Sequence, residues 1–161
     1  MELKRAEKRF RLATRDYARL AAFRHALRKF LRFSEMAAAE VGLTSKHYQA
    51  MLVVRSREED ESVTINDLAQ QLIIKHNSAV ELVDRLVKQN LLVRKTSSGD
   101  RRKVELRLTA RGRQVLARLA AVHSGELHRI GPVLERFFAE LSRVGREDTP
   151  EPANKRVVGL R

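Results

Sequence analysis

The sequence predicts a mainly α-helical protein with one small β-hairpin, and three observations carry that prediction. Between Thr64 and Asn90, two short stretches repeat apolar residues at three- and four-residue spacing, as amphipathic helices do. Directly after them, Val93-Arg94-Lys95 and Val104-Glu105-Leu106-Arg107-Leu108 alternate as strands do, around the turn material Ser97-Ser98-Gly99-Asp100. Longer stripes of helical period lie on both sides of this region. Two short helices that run into a basic hairpin make a winged helix-turn-helix lobe, here set between longer N- and C-terminal helices.

The first long pattern runs from Leu12 to about Ala39. Ala13, Tyr17, Leu20, Leu27, Leu31 and Ala38 keep the spacing, with Arg15, Arg19, Arg28 and Arg32 mostly between them. A basic amphipathic helix is able to lie on a membrane, but this one has an alanine-rich apolar side and a long stripe, which favours burial in protein. Gly42 suits the residue just past the helix, and Thr44 or Ser45 caps the next one, whose apolar face is Tyr48, Met51, Leu52 and Val54. The polar run from Ser56 to Ser62 reads as a loop. Val63-Thr64-Ile65 allows one short strand before Thr64 caps a helix through the Thr64-x-x-Asp67 spacing, ahead of Leu68, Ala69 and Leu72. The helix from about Lys75 to Asn90 is expected to bury Ala79, Val80, Val83, Leu86 and Val87, after which Leu91-Leu92 closes the turn into the hairpin.

Thr109 caps the last pattern, with Val115, Leu116, Leu119 and Val122 on its apolar side. Gly131-Pro132 marks a break, because proline fits the first turn of a new helix better than the middle of an old one; Val133, Leu134, Phe137, Phe138 and Leu141 then continue apolar. Beyond Gly145 the chain holds two of its three prolines and little periodicity, which predicts a mobile tail over 146–161.

With 161 residues, 43% of them hydrophobic, the chain has material for one compact core plus an extension, and one functional unit is expected. The net charge of +13 is unevenly spread: residues 1–32 hold 11 Lys/Arg against 3 Asp/Glu, residues 93–113 hold 8 against 2, and the remainder is close to neutral. Positive charge gathered in two blocks points to a polyanionic partner, of which nucleic acid is the commonest. No secretory signal or bilayer-spanning run is visible, and there is no cysteine, so disulfides and thiolate metal sites are excluded. These features fit a cytoplasmic protein.

The second short helix shows Asn77, Ser78, Glu81, Arg85 and Lys88 on one edge. A helix entering the major groove presents its first two turns to the bases, which selects Lys75, His76, Asn77 and Ser78, with Glu81 one turn on. Asparagine pairs with adenine, lysine with guanine acceptors, and glutamate accepts from a cytosine amino group. The alternative for Ser78-x-x-Glu81 is a capping box that starts the helix later. Arg85 and Lys88 lie farther along, suited to phosphate contact or to plain solvation, and Thr64 to a phosphate contact or to its cap. At the hairpin tip Asp100 precedes Arg101, Arg102 and Lys103, and an acid among cations is able to fix a guanidinium by hydrogen bonding for entry into a narrow minor groove.

The leading helix, LTSKHYQAMLVV, TINDLAQQL, KHNSAVELVDRLVKQNLLVR, the acid-x-arginine wing DRR and the closing LTARG together resemble the multiple antibiotic resistance regulator (MarR) family, over roughly residues 10–145. The resemblance implies one MarR-like unit over 1–145, with a DNA-binding lobe at about 44–109 and dimerisation helices at about 10–40 and 110–145. It implies a homodimer on double-stranded DNA carrying an inverted repeat, a repressor released by a small aromatic or anionic ligand bound between dimer helices and lobe. Carried across, Asp100 is the orienting acid, Arg102 the minor-groove arginine, and Lys75 to Ser78 belong to the recognition helix. Asn90 stands where the family usually has glycine, a departure asparagine tolerates because it accepts a left-handed backbone. Thiol-based peroxide sensing is excluded by the missing cysteine. Phe30, Phe33, Tyr48 and Met51 are candidates for a ligand pocket and equally good core residues.

No enzyme is expected and no cofactor: the five histidines show no metal-ligand spacing, and no nucleophile motif or phosphate loop appears. The competing readings are a DNA-binding regulator without a ligand, whether constitutive or architectural, and a helical protein-interaction adaptor.

Overall fold

The computed structural model describes residues 13–58, 63–96 and 104–144. Among them the order is α1 (Thr14–Ala39), α2 (Ser45–Ser56), α3 (Ile65–Gln71), α4 (His76–Lys88), β1 (Leu92–Thr96), β2 (Val104–Leu108) and α5 (Ala110–Val144). This is the mainly helical winged helix-turn-helix that the patterning predicts. The tail expected over 146–161 lies outside the described residues.

The helices begin and end where side-chain chemistry allows. Thr44, Thr64 and Thr109 each accept the backbone N–H three residues on, at 3.2, 3.2 and 2.8 Å, and so start α2, α3 and α5. At α2 and α3 the favour is returned, by His47 Nδ1 accepting from the Thr44 N–H at 3.1 Å and by Asp67 accepting from the Thr64 N–H at 2.8 Å. Three helices end in the same left-handed turn. Gly42, Ile73 and Asn90 have φ of 72°, 53° and 57°, and each is followed by an N–H that reaches back five residues: Leu43 to Ala38, Ile74 to Ala69, Leu91 to Leu86.

β1 and β2 pair antiparallel in the register Leu92 with Leu108 and Arg94 with Leu106. The expected short strand at Val63-Thr64-Ile65 reduces to one bridge, in which the Val63 carbonyl accepts the Leu106 N–H at 2.8 Å, because Thr64 turns away to cap α3.

Two compact units divide the chain within the long helices. In the unit Arg28–His128, Ala38, Met51, Val54, Leu68, Val83, Leu86, Leu92 and Leu106 are almost fully buried and form the core of the lobe. Leu52 does not join them; it is exposed, and α2 turns Tyr48, Met51 and Val54 inward. On α4 the buried face is Ala79, Leu82, Val83 and Leu86, with Val80 and Val87 only half-buried, so the stripe is rotated toward Leu82 from its expected position. Gly112 sits where a Cβ would run into the Leu91 carbonyl, so this close approach of α5 to the start of β1 requires glycine.

The other unit joins the helical segments before Arg28 and after His128. Phe23 stacks on Phe137 with ring centroids 4.4 Å apart, and Arg19 pairs with Glu140 at 2.8 Å. The break expected at Gly131-Pro132 is corrected here: α5 runs on through Pro132. Proline removes one helical N–H, but apolar residues on both sides of it keep the helical period, and aromatic stacking of the later turns holds the helix continuous against that local cost.

Candidate nucleic-acid interface

The helix-turn-helix is formed by α3 and α4. α4 differs from α2, α3 and α5 at the capping position before its first residue, which is Lys75, whose side chain makes no capping bond. The first N–H groups of α4 are therefore left without the side-chain acceptor that threonine supplies elsewhere, at the end of the helix where the dipole attracts an anion. Lys75, His76, Asn77 and Ser78 are all exposed there. Because the helix begins at His76, the alternative in which Ser78 caps it does not hold.

Farther along, Glu81, Arg85 and Lys88 are exposed as well. Ser78, Glu81 and Arg85 do more than face solvent: with Glu35, Lys46 and His47 they line a cleft of about 600 Å³ whose apolar wall is Ala39, Leu43 and Leu82. His47 feels this surrounding. Burial, and secondarily the Arg85 guanidinium, hold its imidazole below the ordinary value of 6.5. Thr64 is spent on its cap, its hydroxyl accepting from the Asp67 N–H at 3.2 Å and donating to the Asp67 carboxylate at 2.6 Å.

The wing is tied to its surroundings by residues that sequence reading passes over. Arg94 on β1 donates to Asp84 on α4 at 2.7 Å, joining the hairpin to the second helix of the helix-turn-helix. Glu58, just past α2, accepts from the Leu108 N–H at 3.0 Å, pairs with Arg55 at 3.1 Å and approaches Arg113 at 3.5 Å, while its carbonyl accepts from Arg107 at 2.7 Å. Nothing in the one-dimensional pattern marks Glu58, because its partners on β2 and α5 lie about 50 residues away. The tip residues Asp100, Arg101, Arg102 and Lys103 lie outside the described residues.

Of the ligand-pocket candidates, Tyr48 and Met51 are buried, and Phe30 and Phe33 are half-buried. Tyr48 stacks on His123 at 4.2 Å, and Phe30 and Phe33 meet the same ring edge-on at 6.1 and 5.5 Å. His123 Nδ1 lies 2.7 Å from the Leu119 carbonyl, which only accepts, so Nε2 is free to accept from the Ser34 hydroxyl at 2.9 Å in the neutral ring. A core role accounts for all four candidates. Among the described residues no three His, Asp or Glu side chains gather as a metal site, and no helix is long and apolar enough to cross a membrane.

Residues 41–103 match the model of the MarR family. The HTH-type transcriptional regulator SarZ of Staphylococcus epidermidis is 29% identical over 76 residues, which are 47% of this chain and 49% of SarZ. The chain thus spans about half the length of the curated relatives it matches. Among solved structures, the fold is similar to that of MepR, a transcription regulator of the Staphylococcus aureus multidrug efflux pump MepA (TM-score 0.66, 15% identity, 79% of this chain and 96% of that one). It is also similar to the transcriptional repressor CouR bound to a 23-mer DNA duplex (TM-score 0.61, 25% identity, 80% of this chain and 90% of that one).

Proposed function

Because the chain belongs to the MarR family of winged-helix regulators, we propose that it is a sequence-specific DNA-binding transcriptional regulator that acts in the cytoplasm as a homodimeric repressor on an inverted repeat. The observation that carries this reading is α4: an N-terminus without a side-chain cap, with Lys75, His76, Asn77 and Ser78 exposed on it, and a paired hairpin beside it tied to the same helix through Arg94 and Asp84. DNA phosphate satisfies the open N–H groups, and the exposed side chains reach the base edges. Glu81 and Arg85 extend that edge, and the family resemblance adds Arg102 as the minor-groove arginine with Asp100 as its orienting acid, Arg101 and Lys103 adding positive charge in the same run. The DNA bound to CouR supports the same partner here.

Homodimerisation is supported by apolar side chains left uncovered in the single chain: Tyr17, Leu20, Leu27 and Leu31 on α1, and Val122, Leu127 and Phe138 on α5. Two α4 helices about one DNA turn apart then meet successive major grooves, and occupation of a promoter blocks polymerase. Release by a small anion is supported by the cleft that Lys46, His47 and Arg85 share beside α4, since a ligand held there acts on the reader helix directly.

The test is selection of genomic fragments by the purified protein. A short palindrome near one or two promoters is the expected result, with a compound found by displacement that releases it. Enrichment without any motif overturns the specific-regulator reading in favour of charge-driven binding.

A further inference from the structure

The turn between α3 and α4 contains a residue that local rules reject. Of the three helices that end in the same left-handed turn, two place glycine and asparagine at the left-handed position, and the third places Ile73 at φ 53°. A β-branched side chain is the least suited to that backbone, because its Cβ substituents crowd the neighbouring carbonyl. Burial does not account for it. Ile73 is 92% exposed, more than any other large apolar side chain among the described residues, and the apolar contact that normally accompanies this turn falls to the next residue, the half-buried Ile74. The fold therefore keeps a strained, solvent-facing isoleucine where glycine costs less, and such outliers gather where function needs them.

Its position supplies the need. Ile73 lies two residues before Lys75, at the end of α4 that carries His76 and Asn77. We propose that Ile73 is a specificity-determining contact to DNA, its side chain meeting the 5-methyl group of a thymine in the major groove. The assignment rests on the DNA-binding reading above. An aliphatic chain has no donor or acceptor for a base edge, and the thymine methyl is the apolar group those edges present. Sequence preference then comes from two chemistries on one short segment, hydrogen bonds from Lys75 to Ser78 and an apolar contact from Ile73.

The experiment uses the full chain and a duplex carrying the motif that the wild-type protein selects from random DNA. Each thymine is replaced in turn by uracil, which removes only the methyl. One thymine per half-site is expected at which uracil weakens wild-type binding about fourfold, the value of one buried methyl group. Ile73→Gly should bind the thymine and uracil duplexes alike, Ile73→Leu should keep the preference, and both should melt no lower than wild type. The assignment is overturned if no thymine is sensitive, if Ile73→Gly keeps the same sensitivity, or if that variant loses affinity equally on every sequence, which would mean a sugar contact. Failure of the wild type to select any motif overturns the sequence-specific DNA-binding reading on which the assignment rests, an outcome visible before any variant is made.

Discussion

The carboxylate of Glu58 accepts the backbone N–H of Leu108 at 3.0 Å, joining the end of α2 to the last residue of β2 across 50 residues of chain. Leu108 is buried, and its part-buried N–H loses a charged acceptor when Glu58 is truncated. The ion pairs that Glu58 makes with Arg55 and Arg113 add little, since both arginines are about half exposed. Glu58→Ala is expected to lower unfolding free energy by about 1–3 kcal/mol and Glu58→Gln, which keeps an acceptor, by under about 1 kcal/mol. Urea denaturation of both variants checks the difference; equal losses would show that charge rather than the hydrogen bond fixes the wing.

Thr64 separates a cap from a DNA contact. Thr64→Ala should cost about 1 kcal/mol of stability through loss of the α3 cap, and Thr64→Ser should restore it. With its hydroxyl committed to Asp67, the alanine variant should retain the wild-type slope of DNA affinity against salt concentration. A shallower slope in that variant would restore Thr64 to the phosphate contacts.

Gly112 tests how closely α5 must approach β1. A methyl group there meets the Leu91 carbonyl, a backbone group that cannot swing aside, and then the terminal methyl of the buried Leu108, so Gly112→Ala should destabilise by about 1–3 kcal/mol. Thermal denaturation measures it, and an unchanged midpoint would mean that α5 shifts without penalty.

His47 makes the lobe sensitive to acid. Its Nδ1 accepts from the Thr44 N–H and must be unprotonated to do so. Burial and Arg85 hold the folded value below the ordinary 6.5, so the unfolded chain takes up its proton first. The stability contributed is full above pH 6.5 and is lost as pH falls below it, until the folded imidazole is protonated too. Arg85 is the charge that disfavours that proton, and Lys46, Glu35 and Glu81 are the other charged side chains lining the same cleft. Equilibrium unfolding at a series of pH values should show this slope, and His47→Gln, which preserves the capping box without titrating, should flatten it. A variant as acid-sensitive as wild type would place the titration elsewhere.

The apolar stripe of α1 carries the dimer proposal. Leu27→Asp, or Leu20→Asp, should yield monomer by sedimentation and weaken operator binding by more than tenfold, because a paired half-site is then lost. A dimer of native affinity would move the interface to another surface.

By itself the sequence determined what is local. Helical periods, the caps at Thr44, Thr64 and Thr109, the left-handed residues Gly42 and Asn90 and the alternating strands depend on neighbours three to five positions away, which composition and spacing reveal. It also marked the exposed edge from Lys75 to Arg85, since polar residues repeating at helical spacing need no partner to be recognised. Tertiary structure decided everything that depends on distant partners. Aromatic stacking carried α5 through Pro132 against its local preference, the fit of α4 to the core buried Leu82 ahead of Val80, and Glu58 and Arg94 found partners on other elements. The setting of Ile73 is of the same kind: nothing in the spacing singles it out, and only the turn that holds it shows the side chain turned out to solvent just before α4. Spacing encodes which face a side chain shares along one element; what that face meets is set by packing between elements, which no single stretch of sequence contains.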